Sequence, residues 1–142
     1  AAVRRQRPDV VFGADLIAGF PTETEAMFER SLALVEDCDL TWLHVFPYSA
    51  RSGTPAARMP QVTGTERKLR AARLRAAGAL AAERWLARQS GASAAVLVEQ
   101  ERFGRSEHFA PVDLDGTAVP GSLVTVRIAG SRAGHLLGRI AA

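Results

Sequence analysis

The stretch of residues 13–55 restricts the fold more than any other part of the chain, because it has the pattern of a strand, a helix and a second strand. Residues 15–20 and 41–46 are short and mostly apolar, as strands covered on both faces are. Thr22 and Glu25 have the spacing of a capping box, which predicts that a helix begins just after Pro21. Elements in this order predict a right-handed crossover between two parallel strands.

The predicted helix carries one apolar stripe, formed by Phe28, Leu32 and Val35. In parallel units of this kind, ligands bind at the carboxyl ends of the strands. Those ends are residues 19–23 and 47–51, and both are irregular segments that contain Gly or Pro. We therefore expect any chemistry of this chain in these two loops.

Composition is that of an ordinary soluble globular protein, with 142 residues of which 47% are hydrophobic and 23% charged. No apolar run is long enough to span a bilayer. The first residues lack an initiator Met and resemble the tail of a helix, so we expect the chain to be a fragment of a longer protein. Cys38 is the single cysteine, which excludes an internal disulfide, and we interpret it as a small residue at a helix end.

Residues 65–91 carry the basic excess of the chain, with seven basic and two acidic side chains. Residues 65–89 contain no Pro and one Gly, which predicts a long helix. Its predicted apolar side consists of Leu69, Ala72, Ala76, Ala79 and Leu80. Its predicted basic side consists of Arg70, Arg73, Arg84 and Arg88. This basic side could follow an RNA backbone, and a solvated helix face is the alternative.

Short strands separated by glycine turns follow from residue 92 onward. Strands are predicted at 94–99, within 104–112, at 123–128 and at 135–140, with turns at 102–104, 113–116, 120–121 and 129–130. This pattern predicts a small closed β-barrel. Within it, Phe103, Arg105, His108 and Phe109 combine rings with charge, which suits stacking on unpaired RNA bases, with the barrel core as the favoured alternative for Phe109. Phe109, Trp42 and Trp85 are interpreted as packing residues.

Two motifs and the terminal strands together resemble the radical S-adenosylmethionine methylthiotransferases. The run GADLIAGFP at 13–21 with ETE at 23–25 is similar to the fifth-strand motif of that family. The run HVFPYS at 44–49, followed by Arg51, GTPAA at 53–57 and Met59, is similar to its sixth-strand motif. The C-terminal fifty residues resemble a TRAM domain, the small RNA-binding β-barrel of these enzymes.

The resemblance implies an α/β fold in three parts. Residues 1–64 would be the C-terminal remnant of a radical-SAM-type parallel β/α barrel, residues 65–91 a basic linker helix, and residues 92–142 an all-β TRAM barrel. Thr22 departs from the family, because Gly usually stands there, and we expect a tighter or tilted turn. The three-cysteine cluster motif of the family is absent, so the ligands of the [4Fe–4S] clusters would lie outside this chain, which alone would be inactive.

The resemblance also implies a reaction and partners. The complete enzyme would add a methylthio group to C2 of N6-threonylcarbamoyladenosine beside the tRNA anticodon, using S-adenosylmethionine. Its partner would be the tRNA anticodon stem–loop, with no membrane and no DNA, in the cytoplasm. Three alternatives stay open: the branch acting on isopentenyladenosine, the branch acting on a ribosomal protein, and a non-catalytic RNA-binding module.

Candidate site residues follow from these motifs. The cofactor-binding candidates are Ile17, Gly19, Phe46, Pro47, Tyr48 and Ser49. Packing in the barrel core is the alternative for Ile17 and Phe46. Arg51 resembles the branches that act on tRNA, and its guanidinium matches a phosphate or the carboxylate of the modified base. Glu23 is interpreted as an acid in the first helical turn, with hydrogen bonding to loop amides as the alternative.

Overall fold

The computed structural model describes residues 2–141. The elements are, in chain order, α1 (Ala2–Gln6), β1 (Phe12–Ala18), α2 (Glu25–Asp37), β2 (Leu40–Pro47), a 3₁₀ turn (Ala56–Arg58), α3 (Gly64–Arg88), β3 (Ser93–Gln100), β4 (Phe103–Ser106), β5 (Pro111–Leu114), β6 (Leu123–Arg132) and β7 (His135–Ile140). The chain forms two compact units, one of residues 11–81 and one of the residues up to Val10 with those from Ala82 onward. No helix within residues 2–141 is long and apolar enough to cross a membrane.

The predicted strand–helix–strand unit is confirmed. β1 and β2 pair in parallel, with Ile17 opposite Phe46 and Ala18 opposite Pro47. The core of this unit includes the predicted residues Phe28 and Val35, with Leu32 partly buried beside them. β1 ends at Ala18, two residues before the predicted end, because the chain enters a left-handed turn at Gly19. These two strands form a two-stranded sheet, so the radical-SAM-type barrel stays a prediction.

The helix cap differs from the prediction. Thr24 is the N-cap of α2, and its hydroxyl accepts a hydrogen bond from the amide of Met27 at 3.2 Å. Thr22 has a φ of 68°, in the left-handed region, so it lies outside the helix and cannot form the predicted capping box with Glu25. Gly, which the resemblance leads us to expect at this position, adopts such a φ without steric cost.

The long helix is confirmed, but its predicted apolar face is wrong. Leu69 and Leu80 are each 53% exposed, while Ala71 and Leu74 are buried. The rest of the predicted face, Ala72, Ala76 and Ala79, is exposed as well. The helix packs closely against Leu43 of β2 at Gly78, because a Cβ at this position would lie 2.9 Å from Cδ1 of Leu43. The helix therefore buries a side that includes Ala71, Leu74 and Gly78 instead of the predicted side.

The predicted β-barrel is confirmed as a closed five-stranded barrel in the order β3-β4-β5-β7-β6. Alternate residues of the strands fill it: Val96, Val98, Val112, Val126, Ile128 and Leu136 are buried. The single strand predicted within 104–112 is wrong, because the chain reverses after Ser106 and forms two antiparallel strands. Parts of the turns predicted at 102–104 and 113–116 belong to these strands. A Cβ at Gly104 would lie 2.3 Å from the carbonyl oxygen of Leu97, so Gly marks close strand contact here, not a turn.

Candidate functional site

The loops that follow β1 and β2 lie side by side, as predicted. The amide of Tyr48 donates to the carbonyl of Ala18 at 2.8 Å, extending the sheet by one bond beyond the strands. The rings of Phe20 and Tyr48 meet edge to face, with their centroids 5.3 Å apart. The two loops thus form one edge at the carboxyl ends of the strands.

An exposed apolar pair lies on one face of the sheet at this edge. Ile17 is 57% exposed and Phe46 is 54% exposed, and the two residues are paired in register. Neither residue belongs to the core of residues 11–81, and both the cofactor contact and the alternative of packing in a β/α-barrel core stay predictions. Asp15 and His44, the register pair two residues earlier, are also exposed. The sheet therefore presents an apolar patch with a polar pair behind it.

Gly19 allows the side chain of Arg67 to pack closely against the loop after β1. It has a φ of 72°, and a Cβ at this position would lie 2.3 Å from Cγ of Arg67. The amide of Gly19 donates to the carboxylate of Glu23 at 2.9 Å. Glu23 precedes α2, so its interpretation as a helical first-turn acid is wrong, and the alternative of a loop-amide contact is what the structure has.

Arg70 joins α3 to this loop. Its guanidinium donates to the carboxylate of Glu23 at 2.9 Å, to the carbonyl of Glu23 at 2.8 Å and to the carboxylate of Glu66 at 2.9 Å. A further bond reaches Glu25 at 3.2 Å. Burial opposes the charge, but the hydrogen bonds to Glu23 and Glu66 outweigh it and raise the pKa of Arg70 above its ordinary value.

The predicted basic face is wrong in its first half. Arg70 is buried, and Arg73 donates to Glu25 at 2.6 Å and to Glu29. The hydrogen bond from Arg73 lowers the pKa of Glu25 below its ordinary value. These acidic partners come from α2 and its loop, so the segment is neutralised by residues distant in sequence. Arg84 and Arg88 are exposed on the second half of the helix.

The loop after β2 is fixed by backbone contacts. The carbonyl of Tyr48 accepts a bond from Arg67 at 3.3 Å, and the Tyr48 side chain is half-buried. The carbonyl of Arg51 accepts a bond from the hydroxyl of Thr54 at 2.8 Å, which closes a turn and leaves the Arg51 side chain exposed. The two other candidates of this loop, Pro47 and Ser49, are exposed.

In the barrel, two of the predicted RNA-binding rings lie against other rings. Phe103 is half-buried, with its centroid 5.7 Å from that of His135, and His108 lies 5.6 Å from the ring of Trp85. Trp85 is buried, which confirms it as a packing residue. Phe109 is 69% exposed, so its interpretation as a core residue is wrong.

The residues present do not fit an iron–sulfur cluster. Cys38, the single cysteine of the sequence, is exposed at the end of α2. Residues 2–141 contain no group of three side chains placed to hold a metal ion.

Arg67 is the site residue that sequence reasoning missed. It packs against Gly19 and bonds the carbonyl of Tyr48, so it contacts both loops. The available signal was the spacing of Arg67 and Arg70, which places both on one side of a helix. Nothing local in the sequence indicates that this side faces carboxylates and loop carbonyls.

Comparisons with known proteins give a consistent set of relatives, although no protein-family model matches the chain. Threonylcarbamoyladenosine tRNA methylthiotransferase MtaB of Rickettsia prowazekii is 44% identical over 134 residues, covering 94% of this chain and 32% of the relative. A tRNA-2-methylthio-N(6)-dimethylallyladenosine synthase of Cereibacter sphaeroides is 38% identical over 146 residues, covering 96% and 33%. That of Ruegeria pomeroyi is 36% identical over 146 residues, covering 98% and 33%. The chain thus spans about a third of the length of these relatives.

Proposed function

This chain belongs to the family of the MtaB and MiaB tRNA methylthiotransferases, and on that premise we propose that it supplies the cofactor-bordering loops and the RNA-binding barrel of such an enzyme. The observation that carries the proposal is the 44% identity to a tRNA methylthiotransferase over 94% of this chain. The reaction is the addition of a methylthio group to an adenosine beside the tRNA anticodon, in the cytoplasm.

Ile17 and Phe46 border the cofactor in this proposal. S-adenosylmethionine, with an iron–sulfur cluster, supplies the radical chemistry of the family. The paired apolar side chains fit the flat adenine ring, because both are exposed on one face at the carboxyl edge. Tyr48 and Ser49 directly follow the end of the same strand and are proposed to border the cofactor from the edge of the sheet. The cluster ligands belong to residues outside this chain.

Residues 92–142 act as a TRAM domain that holds the tRNA. A closed five-stranded barrel of this size supports that assignment. Exposed arginines flank it along the chain, among them Arg84 and Arg88, and suit phosphate contacts. Binding of a tRNA anticodon stem–loop to the chain, measured at several salt concentrations, tests this part. We expect the affinity to fall steeply with salt, and absence of binding at low salt would overturn the proposal.

N6-threonylcarbamoyladenosine is the proposed substrate nucleoside, supported by the higher identity to the MtaB relative. Arg51 is proposed to pair with the carboxylate that this base carries, because its side chain is exposed while its backbone is fixed by Thr54. Dimethylallyladenosine is the second candidate, favoured by the relatives at 36–38% identity. That base has no carboxylate for Arg51 to bind.

Stem–loops that carry one modification or the other separate these candidates. We expect tighter binding of the threonylcarbamoyl form, and Arg51→Ala should remove that preference. Arg58→Ala, an exposed arginine of the 3₁₀ turn, is the matched control and should keep it. Preference for the dimethylallyl form would select the second candidate.

A further inference from the structure

The turn between β4 and β5 holds an aromatic ring away from the barrel. Phe109 is 69% exposed and has a φ of 65°. A bulky side chain in the left-handed region is strained and persists only where its surroundings fix it. Such outliers concentrate at binding and catalytic sites, so the ring needs an explanation.

Ser106 fixes this turn. The amide of Phe109 donates to the carbonyl of Ser106 at 2.9 Å, and the amide of Ser106 donates to the carbonyl of Ala110 at 3.0 Å. The hydroxyl of Ser106 accepts bonds from the amides of His108 and Ala110, both at 3.3 Å. Ser106 itself is buried. The ring of Phe109 is therefore presented by a closed and internally bonded turn.

The guanidinium of Arg105 lies over one face of the Phe109 ring. The guanidinium carbon of Arg105 lies 4.8 Å from the ring centroid, and the same side chain donates to the carbonyl of Phe109 at 3.3 Å. Glu99 holds the other side of this guanidinium at 3.3 Å. Ring and cation are thus mutually oriented before any ligand arrives, which lowers the entropic cost of binding.

The surface beside this pair is apolar. Leu97 is the register partner of both Arg105 on β4 and Leu123 on β6. Leu97 is 48% exposed and Leu123 is 73% exposed. The unit that contains them carries ten basic and seven acidic side chains, whereas residues 11–81 carry eight of each. This excess comes from residues 1–10 and from Arg84 and Arg88 of α3, whereas residues 92–142 hold five basic and five acidic side chains, so the choice of RNA as partner rests on the proposed function and on the ring–cation pair.

We propose that Phe109 and Arg105 form a stacking site for an unpaired nucleobase of RNA. An aromatic ring beside a guanidinium binds the flat face of a base, and the cation can also meet the adjoining phosphate. The inference rests on the proposed tRNA-binding function and names the residues through which the barrel holds a looped-out base. Phe103 and His108 pack against other rings, and their contact with RNA stays a separate prediction.

Binding of the whole chain to two RNA probes tests the site. The first probe is a tRNA anticodon stem–loop with 2-aminopurine in the loop, and the second is a fully paired RNA duplex of the same length. Phe109→Ala should weaken stem–loop binding about tenfold and leave duplex binding unchanged, since a stacked base contributes to the first alone. Phe109→Trp should retain the affinity and the quenching of 2-aminopurine.

Two further variants keep the test decisive. Phe109→Gly removes the ring and relieves the left-handed φ, so its stability should match or exceed that of the original chain while stem–loop affinity falls. Val119→Ala, at another strongly exposed apolar position of the same unit, should leave the affinity for both RNA probes unchanged. Equal affinity of Phe109→Ala and the original chain, or equal weakening of both probes, would overturn the stacking site alone. Failure of the original chain to bind the stem–loop would overturn the proposed function and this site with it.

Discussion

The guanidinium of Arg70 lies 2.9 Å from the carboxylate of Glu23, and both side chains are almost fully buried. The same carboxylate accepts the amide of Gly19, so one glutamate connects the helix α3 to the start of the loop after β1. Arg67 connects the same helix to the loop after β2. α3 therefore sets the position of both loops proposed to border the cofactor.

Loss of the Arg70 guanidinium should be strongly destabilising. Arg70→Ala leaves the buried carboxylate of Glu23 without its cation, and removal of one partner of a buried pair costs about 3–5 kcal/mol in the free energy of unfolding. Lys68→Ala, at an exposed position of the same helix, is the matched control and should change the free energy of unfolding by less than about 0.5 kcal/mol. Urea unfolding measures both. Equal stability of the two variants would contradict the role assigned to the pair.

Substitution of Gly19 should cost more than its backbone conformation alone explains. Gly19 and Gly53 have φ values of 72° and 83°, but a Cβ at Gly53 meets nothing within 4 Å, whereas one at Gly19 meets Arg67. Gly53→Ala should therefore lose about 1 kcal/mol from strain. Gly19→Ala should lose clearly more and should speed hydrogen exchange in residues 19–23. Equal losses of stability in Gly19→Ala and Gly53→Ala would mean that the Arg67 side chain moves aside freely.

The two threonines before α2 should respond differently to truncation. Thr24→Ala removes the N-cap bond to Met27 and should cost about 1 kcal/mol. Thr22→Ala keeps the left-handed φ and removes no capping bond, so it should be close to neutral. Thermal unfolding of both variants checks this order. The reverse order would restore the capping box that the sequence predicts.

Acid should weaken the ion pairs between α2 and α3. The pKa of Glu25 is lowered by the hydrogen bond from Arg73, so this contribution to stability is present above the unfolded glutamate pKa of about 4.3 and is lost as pH falls through the lower folded value. Glu25→Gln lacks the titrating group. We expect its free energy of unfolding to fall less steeply below about pH 4.3 than that of the original chain. Parallel pH profiles would contradict this assignment.

Local patterns in the sequence predict where helices and strands lie better than they predict which side of each element is buried. The alternation of apolar residues around Val96 and Val126 predicts the barrel strands, and the order strand–helix–strand predicts that the loops after Ala18 and Pro47 share an edge. Both predictions depend on periodicity and connectivity, which neighbouring residues in the sequence determine. Both are confirmed.

Burial that depends on distant partners could not be predicted in this way. Arg70 has the character of a surface residue until Glu23, 47 positions away, is brought beside it. Leu69 and Phe109 resemble core residues, yet α3 packs through another side, which includes Leu74, and the turn around Ser106 leaves the Phe109 ring exposed. In each case a contact between segments far apart, or a single side chain closing a turn, overrides the local preference.

Nucleoside analysis of tRNA tests the central claim most directly. This chain would replace the matching third of the Rickettsia prowazekii relative, and the chimera would be expressed in a strain without its own methylthiotransferases. Mass spectrometry of the digested tRNA should then detect 2-methylthio-N6-threonylcarbamoyladenosine, with the unaltered relative expressed in the same strain as the positive control. A chimera that accumulates as folded, cluster-containing protein and yields no methylthiolated nucleoside would contradict the account.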